Sequence, residues 1–217
     1  MTQNQVLQLS HSELSKLQLA DLPSDRRQLD QELSARCHKV RGSGSYAVVI
    51  EHPEDPELVI RISARNDGWI DYALKNQAHE YAPRLFAVAC TGSVWISITE
   101  RLNPLSLEAS SEAAIKSAID AMVMLNKRVA QDLHPNAFSP EELKKHQAWK
   151  GLTEFLQQFL GLENCDLKEA NIMMRKGVPV ANDPIAEMDS EVARSHEKMW
   201  MLAQVEEQAS RPDSPSF

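Results

Sequence analysis

Asp166-Leu-Lys-Glu-Ala-Asn-Ile-Met-Met-Arg-Lys-Gly-Val-Pro-Val-Ala-Asn-Asp-Pro184 holds more chemistry per residue than any other stretch of this chain. Residues 171–174 and 178–181 are short apolar runs around Arg175-Lys176-Gly177, the pattern of a tight hairpin. Asp166, Lys168 and Asn171 precede the hairpin on one loop, and Asp183 leaves it on the far strand. A loop and a hairpin end can bring three such oxygen-bearing groups to a single point. Phosphoryl transfer asks for this set: a carboxylate to orient an attacking hydroxyl, and a carboxylate with an amide for a hard Mg²⁺ ion.

Upstream of this unit the spacing predicts strands. Residues 38–50 read as strand, glycine turn and strand, residues 51–56 as a turn, and residues 57–63 as an apolar, β-branched third strand. Residues 68–80 set Trp69, Ile70, Ala73 and Leu74 on one face, as a short helix does. Residues 84–90 and 93–99 are two more strands around Thr91-Gly92. The predicted order is β-β-β-α-β-β. Residues 1–36 are polar and leucine-spaced, which predicts one or two docking helices, and the Ser24/Arg27 pair lacks the acidic half of a capping box.

Beyond Asn103-Pro104 the pattern turns helical. Residues 110–131 repeat apolar side chains at three- and four-residue steps. Residues 139–161 open on Ser139-Pro140-Glu141-Glu142, with Ser as N-cap and Pro at the first helical position. A last amphipathic helix is expected over 189–209, followed by a disordered Ser/Pro tail, 210–217.

Composition sets limits without naming a function. The 217 residues carry 31 acidic and 23 basic side chains, a formal net charge of −8, which argues against direct nucleic-acid binding or a membrane-surface role. Cys37, Cys90 and Cys165 are odd in number and widely separated, so neither a disulfide framework nor a metal pair is expected, and a reducing, cytoplasmic setting is. The first residues lack the basic start and apolar run of a signal peptide. No apolar run approaches the ~20 residues that span a bilayer.

The loop Asp166-Leu-Lys-Glu-Ala-Asn171, followed by a hairpin and Asp183, resembles the protein-kinase catalytic loop and its later metal-binding Asp. The glycine turn Arg41-Gly-Ser-Gly-Ser-Tyr-Ala47, one strand before Val59-Ile-Arg61-Ile, is where a kinase needs it. The nearer likeness is to the small protein kinases of short-tailed lytic bacteriophages, in the segments RGSGSYAVVIEHP, LVIRIS, DLKEANIMMRKGVPV and NDP, over roughly residues 37–187.

That resemblance implies an α+β, two-lobed protein-kinase-like fold. Residues 1–36 would form a helical extension, 37–102 an N-lobe with a five-stranded antiparallel sheet and one helix, and 103–209 a reduced, mostly helical C-lobe. It implies ATP and Mg²⁺ as cofactors, and an ATP-dependent Ser/Thr kinase that phosphorylates host proteins in the host cytoplasm. Asp166 would be the catalytic base and Lys168 a γ-phosphate contact, with Asn171 and Asp183 as metal ligands. Gly42, Ser43, Gly44 and Ser45 would close on the phosphates through backbone N–H groups, and Arg61 would hold them, paired with Asp71 rather than Glu80. Thr99 would stand as gatekeeper, with the backbone of Glu100 and Leu102 facing adenine.

The chain departs from the family at defined positions. Ala47 replaces the third glycine, Arg61 the strand-three lysine, and Asn164-Cys165 the His-Arg before the catalytic Asp. Arg keeps the charge, but a planar fork differs from a compact ammonium. These changes keep an alternative open: a pseudokinase-type protein that inhibits a host factor without phosphoryl transfer. A small-molecule kinase is a third reading, since Asp132-Leu-His-Pro-Asn136 imitates such a loop, although an interhelical turn explains it better. The histidines show no metal-ligand spacing, and Cys165 has no His placed to activate it. With 34 residues after Asp183, an activation segment with its anchor and most of the later C-lobe helices are not expected.

Overall fold

The structure, a computed structural model, describes residues 6–44, 46–65, 67–92, 94–104, 151–152, 154–156, 158, 166 and 171–184. The helices expected over 110–131 and 189–209, most of that over 139–161, and the tail lie outside the described residues. Residues 151–152 and 154–156 are helical, as the 139–161 pattern predicts, with Leu152, Phe155 and Leu156 buried.

The described fold is α+β, in the order β1 (Leu7–Gln8), α1 (His11–Lys16), α2 (Arg26–Ala35), β2 (Val40–Ser43), β3 (Ala47–Glu51), β4 (Leu58–Ser63), α3 (Trp69–Lys75), β5 (Leu85–Thr91), β6 (Val94–Glu100), β7 (Asn103–Pro104), β8 (Ile172–Arg175) and β9 (Val178–Ala181). The β-β-β-α-β-β run is present as β2 to β6. It forms an antiparallel array, β5-β6-β4-β3-β2, inside a mixed six-stranded sheet. The sixth strand, β1, was not expected. It pairs parallel to the outer edge of β5, and Leu9 N donates to Val88 O at 2.8 Å, so the first residues of the extension cover an otherwise open sheet edge.

The extension forms two helices, as its leucines predict, with caps at positions the sequence reading did not name. Ser10 and Glu13 make a capping box on α1, and Asp25 rather than Ser24 caps α2, accepting from Arg27 N at 3.0 Å and Gln28 N at 2.9 Å. Leu14, Leu19, Leu22, Leu29 and Leu33 pack in one cluster with Val48, Ile50, Ile60, Ile62, Ile96 and Ile98. Side chains alternate along a strand, so the face opposite Ile60 and Ile62 carries Val59, Arg61 and Ser63. The extension therefore belongs to the core behind the sheet and leaves the Arg61 face to α3. That helix is shorter than the predicted 68–80 and sets Trp69, Ile70 and Ala73 against Leu85, Val88 and Trp95.

A second, three-stranded sheet, β7-β8-β9, contains the predicted hairpin. Lys176 (φ 48°) and Gly177 (φ 84°) form its two-residue turn, in the doubly left-handed geometry that matches strand twist. A Cβ on Gly177 would meet no heavy atom within 4 Å, so the requirement is conformational alone. Gly177→Ala is expected to lower stability by about 1 kcal/mol, read from the midpoint of chemical denaturation. Among the described residues no helix is long and apolar enough to cross a membrane.

Candidate active site

The hairpin register brings the site together. Ile172 pairs with Ala181, so Asn171 and the 182–183 segment face each other at the open end of the hairpin. Asn182 N donates to Asn171 O at 2.7 Å, and Asp183 N lies 3.4 Å from the same oxygen. The Asn171 side chain, 9% exposed, closes the loop on its other side: Nδ2 donates to Asp166 O at 2.7 Å and to Asp166 Oδ2 at 3.1 Å. Asp166 N in turn donates to Pro184 O at 2.9 Å. Asp166, Asn171 and the backbone of Asp183 thus form one hydrogen-bonded unit, as the spacing in the sequence leads one to expect. With Nδ2 committed to Asp166, Oδ1 is the Asn171 atom left to act as a ligand. Lys168 and Ser45 lie outside the described residues.

Arg61 sits on β4 opposite Val49 of β3 and Ser97 of β6, and is 8% exposed. Its guanidinium forms a two-armed pair with Asp67, Nη1 to Oδ1 at 3.3 Å and Nη2 to Oδ2, and lies 4.8 Å from the Trp69 ring centroid. The carboxylate paired with Arg61 is therefore Asp67, four residues before the expected Asp71. Gly68, in the left-handed region at φ 77°, turns the chain just ahead of α3 and sends Asp67 back toward β4. Asp71 stands half-buried in the first turn of α3, and Glu80 lies beyond that helix. Asp67 is itself buried, and Trp69 N (3.3 Å) and Ser63 Oγ (3.2 Å) also lie within hydrogen-bond reach of its carboxylate.

The glycine turn lies at the end of the β2–β3 hairpin. Gly44 N donates to Ala47 O at 2.8 Å, and Tyr46 O accepts from Ala64 N at 3.2 Å. The Arg65 guanidinium lies 3.5 Å from the centroid of the Tyr46 ring, and Arg26 of α2 donates to Ser43 Oγ at 2.6 Å. Neither Gly42 nor Gly44 has a positive φ, and a Cβ on either would find only ordinary contacts, 4.0 Å to Val49 Cβ and 3.8 Å to Ala47 O. Neither backbone strain nor crowding calls for glycine here.

At the far end of the sheet, Thr99 Oγ1 and Glu100 N both donate to Arg84 O, at 2.6 and 3.1 Å. The Glu100 carboxylate accepts from Arg84 N at 2.7 Å and pairs with Arg175 of β8, through Nε at 2.6 Å and Nη2. Arg175 also donates to Glu80 O and Ala82 O, both at 2.7 Å. The N–H and carboxylate of Glu100 are thus both engaged within the protein, and Leu102 beyond it is buried.

Several residues around Arg61 and the 181–183 segment were missed in the sequence: Asp67, Trp69, Tyr72, Arg175, and the apolar pair Val49 and Val59 on the Arg61 face. The two valines were findable, since both fall in register with Arg61 under two-residue alternation. Among the described residues no group of three or more His, Cys, Asp or Glu side chains gathers as a metal cluster. One carboxylate and one amide oxygen, from Asp183 and Asn171, suit instead an ion such as Mg²⁺ that keeps waters and binds substrate phosphates. No family model matches the chain, and no curated protein matches it in sequence.

Proposed function

We propose that this chain is an ATP- and Mg²⁺-dependent Ser/Thr protein kinase of the phage type, two-lobed, with nucleotide held between the Arg61 face of the sheet and the 166–184 unit. The observation that carries the reading is the Asn171 bridge, which ties Asp166 by side chain and the 182–183 segment by backbone. In this reading Asp166 orients a Ser or Thr hydroxyl for in-line attack on the γ-phosphate and takes up its proton. Asn171 Oδ1 and Asp183 hold the metal, which when bound offsets charge on the phosphates. Arg61 and Lys168 add positive charge from either side, and Val49 and Val59 with Leu102 give adenine an apolar slot. The Glu100 carbonyl and the Leu102 backbone meet its edge. The substrate is a host protein, and the net charge of −8 favours a basic one.

The glycine turn supplies a test that separates binding from folding. Gly42→Ala and Gly44→Ala, singly or together, are expected to leave stability within about 0.5 kcal/mol, because no contact or φ opposes a Cβ. ATP–Mg²⁺ affinity is expected to fall by about tenfold as the backbone is held away from the phosphates, read by calorimetry.

A second reading, a pseudokinase that grips and inhibits a host factor, has its own observation. Both amino groups of Arg61 are engaged by Asp67 and its face is covered by Trp69, so less of it is left for phosphates. Incubation with γ-labelled ATP, Mg²⁺, a panel of basic and acidic proteins, a sugar and an aminoglycoside separates the readings. Label on protein supports the kinase. Bound ATP–Mg²⁺ without transfer to any protein, together with a host protein retained by the immobilised chain, selects the second reading. Label on a sugar or aminoglycoside alone makes the substrate a small molecule. A chain that neither binds ATP–Mg²⁺ nor transfers phosphate overturns the proposal.

A further inference from the structure

The two residues before Asp183 have their backbone held from three directions. Ala181 N donates to Tyr81 O at 2.8 Å and Asn182 N to Asn171 O at 2.7 Å. Their carbonyls both accept from side chains of α3: Ala181 O from Tyr72 Oη at 2.6 Å, and Asn182 O from Trp69 Nε1 at 2.7 Å. All four polar backbone groups of residues 181 and 182 therefore have fixed protein partners, and two of those partners are one helical turn apart on a single short helix. That helix is anchored to the sheet at its start, where Trp69 N donates to Asp67 Oδ1 at 3.3 Å, Asp67 pairs with Arg61, and Arg61 lies over the Trp69 ring.

We infer that Tyr72 and Trp69 are positioning residues for the Asp183 carboxylate, α3 acting as a strut that holds the metal-ligand strand at a set distance from Arg61. The inference rests on the kinase reading above and names the residues that would align its metal site. A strut of this kind keeps the phosphate-facing cation and the metal ligand in register without a separate activating rearrangement. The Tyr72 hydroxyl is suited to permanent service as a donor: burial first, and the negative charge of Asp183 second, push its pKa well above the ordinary tyrosine value. It remains protonated throughout the physiological range.

Removal of one buried hydroxyl separates positioning from support. Tyr72→Phe keeps the ring in the α3 interface and removes the hydroxyl that donates to Ala181 O. The full chain and this variant are titrated with Mn²⁺ by electron paramagnetic resonance in the presence of a non-hydrolysable ATP analogue, and phosphoryl transfer is followed against Mg²⁺. Outer partners of metal ligands are worth 10–100-fold in metal affinity. The expected result is a rise of about tenfold or more in the metal concentration at half-saturation. Transfer should return toward the unmodified rate at saturating Mg²⁺, with KM for the protein substrate unchanged. Trp69→Phe is expected to move the same quantity in the same direction. A role limited to packing would lower thermal stability without moving the metal titration, and would not be rescued by metal. If the unmodified chain titrates normally and Tyr72→Phe coincides with it within twofold, the strut is overturned and the kinase reading stands. If the unmodified chain binds no metal–nucleotide complex, both fall together.

Discussion

Asp166→Ala is expected to lower γ-phosphoryl transfer by about 10²–10⁴-fold, the range typical of a positioned general base, while leaving ATP–Mg²⁺ affinity within about twofold. The variant is unusually clean because of how Asn171 is held. Its shorter bond, 2.7 Å, goes to the backbone oxygen of residue 166, which alanine retains, and only the 3.1 Å bond to the carboxylate is lost. The Asp166 N–H also keeps its bond to Pro184 O. The backbone ties of residue 166 to Asn171 and Pro184 therefore persist when the carboxylate is removed. Asp183→Ala should behave differently, losing transfer and metal-dependent nucleotide affinity together, because it deletes a ligand rather than a base. Asn171→Ala should lose both and also loosen the loop, since both of its side-chain bonds to Asp166 disappear. Initial rates with γ-labelled ATP, set beside calorimetric binding, distinguish the three. Retention of transfer by Asp166→Ala would move the base elsewhere and remove the main support for the kinase reading.

How much of this was legible in the sequence follows from the range of each interaction. The strands β2 to β6 and the β8–β9 hairpin stand in the sequence because alternation, β-branched runs and turn residues are local signals. The meeting of Asp166, Asn171 and the Asp183 backbone was legible for the same reason: one loop and one hairpin carry them, and hairpin register dictates where they meet. The leucines of residues 1–36 announce helices, but spacing on a helix says nothing about which surface it covers. Only the cluster with Ile60 and Ile62 puts the extension behind the sheet. Strand β1 is two residues long, too short for a period to register. Arg61 was identified by its strand, but its partner was misjudged, because Asp67 reaches it through a turn made possible by Gly68 and not by helical periodicity. The contacts hardest to foresee are those between remote positions. Trp69 meets Asn182 across 113 residues of chain and Tyr72 meets Ala181 across 109, so Trp69 reads locally as one more apolar helix residue.

The Arg61–Asp67 pair yields the largest expected effect on stability, and the two single variants should not be equal. Asp67→Ala leaves a guanidinium that is 8% exposed over the face of Trp69 without its carboxylate. Breaking a buried pair in this way costs about 3–5 kcal/mol. Arg61→Met leaves the Asp67 carboxylate with Trp69 N at 3.3 Å, and the single Ser63 hydroxyl hydrogen, whose nearer acceptor is Arg65 O at 2.7 Å, can turn to Asp67 Oδ2 at 3.2 Å and partly replace the lost cation. Its cost should therefore be lower, at about 2–3 kcal/mol, between a lost hydrogen bond and an orphaned charge. Replacing both, Arg61→Met with Asp67→Leu, removes the desolvated charges altogether and is expected to recover most of the stability, since well-packed apolar side chains often equal or exceed a buried ion pair. If the kinase reading holds, nucleotide affinity should not recover with it, because that reading gives Arg61 the role of the cation facing the phosphates. Chemical denaturation of the four proteins gives the coupling between the two sites, and ATP–Mg²⁺ titration of the same four gives the functional side. A double variant that is both stable and fully competent for nucleotide would show that Arg61 serves the fold alone. A stable double variant without affinity would show that the buried charge is retained for the ligand at the expense of a simpler core.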